Sequence, residues 1–339
     1  MRRELRAPGF LAAAGLGLVL IAALPQWAEV YTIFNLSVYA VLATLALSLG
    51  LVWGMGGLLG FGQSAFFGLG GYAYAIAAIN FAGSGPGLLA AIVLPVLAAA
   101  VIGYFAFFGR ISDVYFAVIS LTVSLILYNL INTTSGAAYR IGQAPLGGYN
   151  GIPSVPPLNL PFAGTPLSFE GTFYAAAGLL LAVYLALRLL MRSRFGRVVV
   201  SVRESETRAE LLGYDVRLYK LGVFLIGAAV AGAAGAFYAA WGAFIGPDVF
   251  SIGFAAQIIV WVLLGGLGTL IGPVIGCFVV QALTAWLGEF EGSNPNIVLG
   301  VLFLAAVMLL PKGIVPTLRS ATGRLMRARA AAGPREPAA

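Results

Sequence analysis

Apolar runs recur along this chain near positions 10–24, 35–53, 63–81, 88–108, 115–132, 171–190, 220–241, 254–270, 272–288 and 297–311. A helix of about 20 apolar residues crosses a hydrocarbon layer about 30 Å thick. The pattern therefore predicts an all-α polytopic transmembrane bundle of about ten spans, with broken Gly-rich helices. The shortest and most Gly-broken stretch, 254–288, also fits one span plus a re-entrant piece. The first run follows Arg2, Arg3 and Arg6 as a signal peptide would, yet Pro25, Gln26, Trp27 and Ala28 do not offer the small residues a cleavage site needs. It reads as a first span.

One long polar segment, Arg188 to Lys220, lies between two apolar ones and holds eight of the 19 Lys and Arg. Within it Val199, Val202, Ala209 and Leu212 fall near one helical face, and Glu204 and Arg208 stand at i,i+4. Gly213 follows as a helix stop. The expectation is a short amphipathic helix held between spans. Such a helix receives movement from a motor subunit, or it is a solvated loop that only sets topology; the pattern fits both.

Charge places the segment. Cytoplasmic flanks of spans are enriched in Lys and Arg. Ten spans with both termini inside put Arg110, the 188–220 block, Lys312 and the arginines of the tail on the cytoplasmic side, leaving only Arg140 outside. Residues 1–318 then form a transmembrane domain with a cytoplasmic segment at 191–219 and an external loop at 133–170, and 319–339 is expected to be a disordered basic tail near anionic lipid. The loop is rich in Pro and Gly, which predicts turns rather than helix. It serves as a docking surface or as a passive connector.

Composition narrows the chemistry. With 60% hydrophobic residues, 9% charged residues and a mean hydropathy of +0.97, the chain is no soluble globule, where about 25% charge is usual. The +7 balance flanks spans and does not call for nucleic acid. There is no His, and the single Cys277 lies in an apolar run, so no catalytic or metal-ligating set is expected. The runs carry no central charge, which speaks against a proton relay. The neutral polar residues Gln63, Ser64, Ser120, Ser124, Tyr128, Asn129 and Gln257 are candidates to line a path, with Ser120, Ser124 and Tyr128 on one helical stripe. Bonding to backbone carbonyls is the plainer alternative. Neither Lys220 nor Lys312 stands in a Walker A loop, so energy comes from a partner or a gradient.

Glycine clusters at 54–71 and 265–276 predict close helix packing or broken helices along a path. The two clusters echo each other weakly. Val52-Trp53 precedes Gly56-Gly57-Leu58, and Val260-Trp261 precedes Gly265-Gly266-Leu267, with spacings that differ by one.

The segment SRFGRVVVSVRESETRAELLGYDVRLYKLGVF from Ser193, with LLGFGQSAFFGLGGYAYA from Leu58, YFAVISL from Tyr115, GGYNGI from Gly147, LLGGLGTLIGPVIG from Leu263 and LPKGI from Leu310, resembles LivM-type permeases of ABC importers for branched-chain amino acids. The resemblance implies a LivH-type sister permease, two ABC ATPase subunits and a periplasmic substrate-binding protein as partners, in the bacterial inner membrane. It implies that ATP and Mg are used by those partners, with no cofactor on this chain. It also implies a coupling role for Arg203, Glu204, Glu206, Arg208, Leu212 and Gly213, although Glu206 and Gly213 stand one residue further apart than in the common Glu-Ala-Ala…Gly pattern. Relatives carry urea, short amides or aromatic acids as well. A gradient-driven carrier that works alone is the rival class.

Overall fold

The computed structural model describes residues 29–81, 83–136, 138–159, 165–288 and 313–318, with Gly300 and alternate positions from 15 to 25. In chain order its helices are Val30–Leu49 (α1), Gln63–Phe81 (α2), Ser84–Phe108 (α3), Asp113–Thr133 (α4), Phe169–Arg192 (α5), Arg194–Glu204 (α6), Glu206–Leu211 (α7), Val216–Gly242 (α8), Ile252–Gly265 (α9) and Ile271–Gly288 (α10). Among the described residues seven helices are long and apolar enough to cross a membrane, namely α1 with the turn that follows it, α2, α3, α4, α5, α8 and α10. The protein is thus a polytopic helical membrane protein, as expected. The runs expected at 10–24 and 297–311 lie largely outside the described residues, and the 319–339 tail lies wholly outside them.

The run at 254–270 is not a full span. Helix α9 has 14 residues, about 21 Å at 1.5 Å each, against a core of about 30 Å. The rest of that crossing is irregular chain. After α8 a two-residue strand, Phe244–Ile245, and a 3-10 turn, Pro247–Phe250, lead down to the Phe250 ring, which lies over Gly68 in α2. Helix α9 starts there, with the Ser251 hydroxyl accepting from the Phe254 amide at 3.2 Å.

Helices α1, α2 and α8 are buried along most of their length, whereas α3, α4, α5 and α10 leave most side chains partly or wholly accessible. Lipid is as apolar as a leucine side chain, so burial alone does not draw helices together and close packing must. Glycine supplies it at the α2–α8 seam: a methyl group on Gly70 would run into the backbone of Gly232, and one on Gly235 into the Phe67 carbonyl. Beside the seam, Phe66, Phe107 and Phe116 surround Phe224 edge-on, with ring centroids 5.2, 5.9 and 5.1 Å away. Such pairs add about 0.5–1.5 kcal/mol each beyond their buried area.

The turn-rich loop after α4 folds onto one end of the bundle. Arg140–Ile141 pairs with Ala144–Pro145, and Ile152–Pro153 pairs with Phe244–Ile245, both antiparallel. Asn80 at the end of α2 holds it from both sides: its Nδ2 donates to the Ile141 carbonyl at 2.8 Å, and its Oδ1 accepts from the Gln143 amide at 2.7 Å. The Tyr74 hydroxyl adds a bond to the Pro156 carbonyl at 3.0 Å.

At the opposite end two helices break. Helix α1 widens into a π-helical turn, Gly50–Met55, and runs on through irregular chain to Gln63, while α9 and α10 are joined by a turn holding Gly266 and Gly268 at φ +111° and +83°. The breaks touch. A Cβ on Gly54 would lie 3.2 Å from the Gly268 nitrogen, and one on Gly50 would collide with the Pro273 ring. The two segments that echo each other in sequence thus meet at one end of the bundle.

Candidate coupling face and transport path

The polar block forms two helices rather than the single helix expected. Ser205 is extended, with φ −167°, and its hydroxyl accepts from the Arg208 amide at 3.4 Å, so it caps α7 and separates it from α6. The apolar face turns with the chain. Val198, Val202, Ala209 and Val216 pack together, but Leu212, expected on that face, is 72% exposed. Glu204 does not take Arg208 as its partner; it pairs with its neighbour Arg203 at 2.7 Å. The Arg203 guanidinium, with a smaller contribution from Arg208, holds the Glu204 carboxyl below the usual carboxylate range.

Gly213 ends α7 as expected. Its φ is +87°, its amide donates to the Glu210 carbonyl at 2.9 Å, and the Tyr214 amide donates to the Ala209 carbonyl at 3.2 Å. This is a Schellman closure, which favours glycine at the left-handed position. Around it Glu210, Leu211, Leu212 and Tyr214 all face outward, and so does Arg208. Leu211 is 82% exposed, so the tip presents apolar side chains with nothing of this chain over them.

Two of the coupling candidates are tied to the bundle instead. The Arg203 Nη1 donates to the Gly54 carbonyl at 2.6 Å, reaching across 149 positions to the π-helical turn. Glu206 accepts from the Lys220 ammonium at 2.5 Å, and the same ammonium reaches Asp113, at the start of α4, at 3.3 Å. Hydrogen bonds to charged groups contribute about 1.5–3 kcal/mol net. Asp113 and Lys220 were not among the sequence candidates. Their only signal was two opposite charges, each at the start of a span in a charge-poor chain. Arg188 is buried one turn from the end of α5, with its guanidinium 6.0 Å from the Tyr184 ring centroid.

The path candidates divide into two sets. Ser64 donates to Ser124 at 3.0 Å, Ser120 accepts from the Gly62 amide at 3.2 Å, and Gln63 is buried with both amide atoms lacking a hydrogen-bond partner. Ser64, Ser120 and Ser124 sit together where α2 meets α4, whereas the Gln63 amide lies beside Gly227 of α8. Tyr128 is half-buried, while Asn129 and Gln257 are exposed on α4 and α9, which touch each other. Asn129 bonds the Leu125 carbonyl of its own helix at 2.9 Å, the plainer role foreseen for it. Among the described residues no group of three or more His, Cys, Asp or Glu side chains is placed to hold a metal ion.

The family model described as "Branched-chain amino acid transport system / permease component" matches residues 31–310. The high-affinity branched-chain amino acid transport permease protein LivM of Escherichia coli is 27% identical, over 89% of this chain and 74% of the relative. The protein of the same name from Salmonella typhimurium is 27% identical over 81% of this chain and 68% of its own length. A probable LivM of Methanocaldococcus jannaschii is 26% identical over 88% of this chain and 93% of its own. No solved structure matches. A permease of this kind is a non-catalytic transmembrane component that works with other transporter subunits. With seven membrane-crossing helices described and the family model covering most of its length, this chain belongs to the permease components of branched-chain amino acid ABC transport systems.

Proposed function

We propose that this chain and a LivH-type sister permease together form the path by which an ATP-driven importer moves branched-chain, or other small neutral, amino acids across a bacterial inner membrane. The observation that carries this reading is the α6–α7 pair: an exposed apolar tip, tied by Arg203 to the break after α1 and by Lys220 to the starts of α4 and α8. Two ATPase subunits dock on the cytoplasmic face of the permease pair, one of them on this tip, and a periplasmic binding protein docks on the loop at the other end. Asn129 and Gln257, polar and outward-facing on apolar helices, suit a path shared with the sister permease better than a face in lipid.

The test is uptake of labelled leucine, isoleucine and valine into proteoliposomes that hold the four membrane and ATPase subunits. Uptake should require ATP and the binding protein. Uptake by this chain alone, driven by a solute gradient, would overturn the reading.

Orientation gives a second expected result. Cysteines introduced at Tyr149 and Thr207, both exposed, report the two ends of the bundle. An impermeant thiol reagent added to whole cells should label Tyr149→Cys and spare Thr207→Cys until the membrane is opened. The reverse pattern would invert the topology. Cys277 is fully buried and leaves the background low.

A further inference from the structure

Arg203 sits where the pieces that must move together converge. Its guanidinium holds the Gly54 carbonyl at 2.6 Å, in the turn where α1 loses its regular bonding. Its stem lies against Gly57: a Cβ there would stand 2.6 Å from the Arg203 Cγ, and Gly57 itself takes φ +77°. The other break is beside it, since a Cβ on Gly268 would lie 3.7 Å from Nη1. Arg203 and Lys220 also line one small cavity, shared with Gly56, Gly57, Asp113 and Glu206. Through this cavity α7 is joined to the starts of α4 and α8 by the Lys220 pairs.

A helix pair that only fixed topology needs no such fittings. Backbone carbonyls at a helix break are strong acceptors without a full set of intrahelical partners. A guanidinium on one of them ties the broken helix to α6 without constraining the regular spans. The flanking glycines leave room for the side chain, and the cavity leaves room for movement.

We infer that Arg203 is a positioning residue of the transport cycle: through the Gly54 carbonyl it carries movement of α6–α7 to the broken end of α1 and to the α9–α10 turn, and it does not itself contact the ATPase. This rests on the importer reading above. Lys220, holding Glu206 and Asp113, keeps α7 in register with α4 and α8 while the link acts.

The experiment uses the full reconstituted complex, with one fluorophore on Thr207→Cys to read α7 and another on Leu59→Cys to read the break. In the unmodified background, trapping the ATPases with ATP and vanadate should change both signals. Arg203→Ala should keep assembly, nucleotide-stimulated hydrolysis and the Thr207 signal, lose most of the Leu59 signal and lower uptake about tenfold, within the usual range for a coupling contact. Arg203→Lys, which still reaches a carbonyl with a charged donor, should restore most of the loss. Normal uptake and a full Leu59 signal in Arg203→Ala would overturn the inference. So would loss of assembly in both variants, since the contact would then be a structural brace. Failure of the unmodified complex to take up solute with ATP would remove the importer reading itself, and this inference with it.

Discussion

Gly235→Val is expected to lower the stability of the permease substantially, whereas Gly178→Ala should make the protein slightly more stable. Both glycines lie inside long helices, so sequence gives them the same cost, about 1 kcal/mol relative to alanine. The surroundings differ. A Cβ at Gly178 meets nothing within 4 Å, but at Gly235 it meets the Phe67 carbonyl and the Gly71 backbone of α2. Backbone cannot rotate away as a side chain can. Overpacking a core costs about 1–3 kcal/mol, and a branched side chain driven into main chain belongs at the upper end. Against a total stability of about 5–15 kcal/mol that is a large share. Thermal unfolding of the purified complex, followed by tryptophan fluorescence, should show a lower midpoint for Gly235→Val and an equal or higher one for Gly178→Ala. Equal midpoints would mean that α2 and α8 do not meet as described.

Gly213→Val is expected to leave the complex intact and to abolish most uptake. Here nothing lies within 4 Å of a Cβ, so the cost is conformational: φ +87° is open to glycine and strained for a β-branched residue. A strain of roughly 1–2 kcal/mol is too small to unfold the bundle, but it falls on the closure that aims Leu211, Leu212 and Tyr214 outward. The spans and the Arg203 contact are untouched. Hydrolysis by the ATPases should therefore persist while uptake falls, and the ratio of solute moved to ATP hydrolysed is the quantity to measure. An unchanged ratio would show that the α7 tip takes no part in coupling.

The spans were legible because length and hydropathy suffice for them, and the polar block stood out because it is the only long one. What composition hid was where the chain leaves helical geometry. The run at 254–270 is apolar apart from Gln257 and Thr269, yet Gly266 and Gly268 unwind its end and the chain before Ile252 is not helical. Ser205 gives no clear capping signal in the sequence because Arg208, and not an acidic residue, stands three positions on, so the capping-box pattern is incomplete. The break at Ser205 is what turns Leu212 outward and separates Glu204 from Arg208. The Lys220–Asp113 contact joins residues 107 positions apart, and no local pattern announces such a pair. Ser120, Ser124 and Tyr128 share a helical stripe in the sequence, but the contact of Ser124 with Ser64 and the outward placement of Asn129 and Gln257 depend on how the helices pack, which no local pattern displays.

The measurement closest to the central claim is site-specific cross-linking at Leu212. A photoreactive amino acid placed there in the assembled transporter should cross-link to an ATPase subunit, and the same group at Tyr149, on the opposite end, should not. Cross-links from Leu212 to lipid or to no protein at all, in a complex that still couples ATP to uptake, would contradict the account.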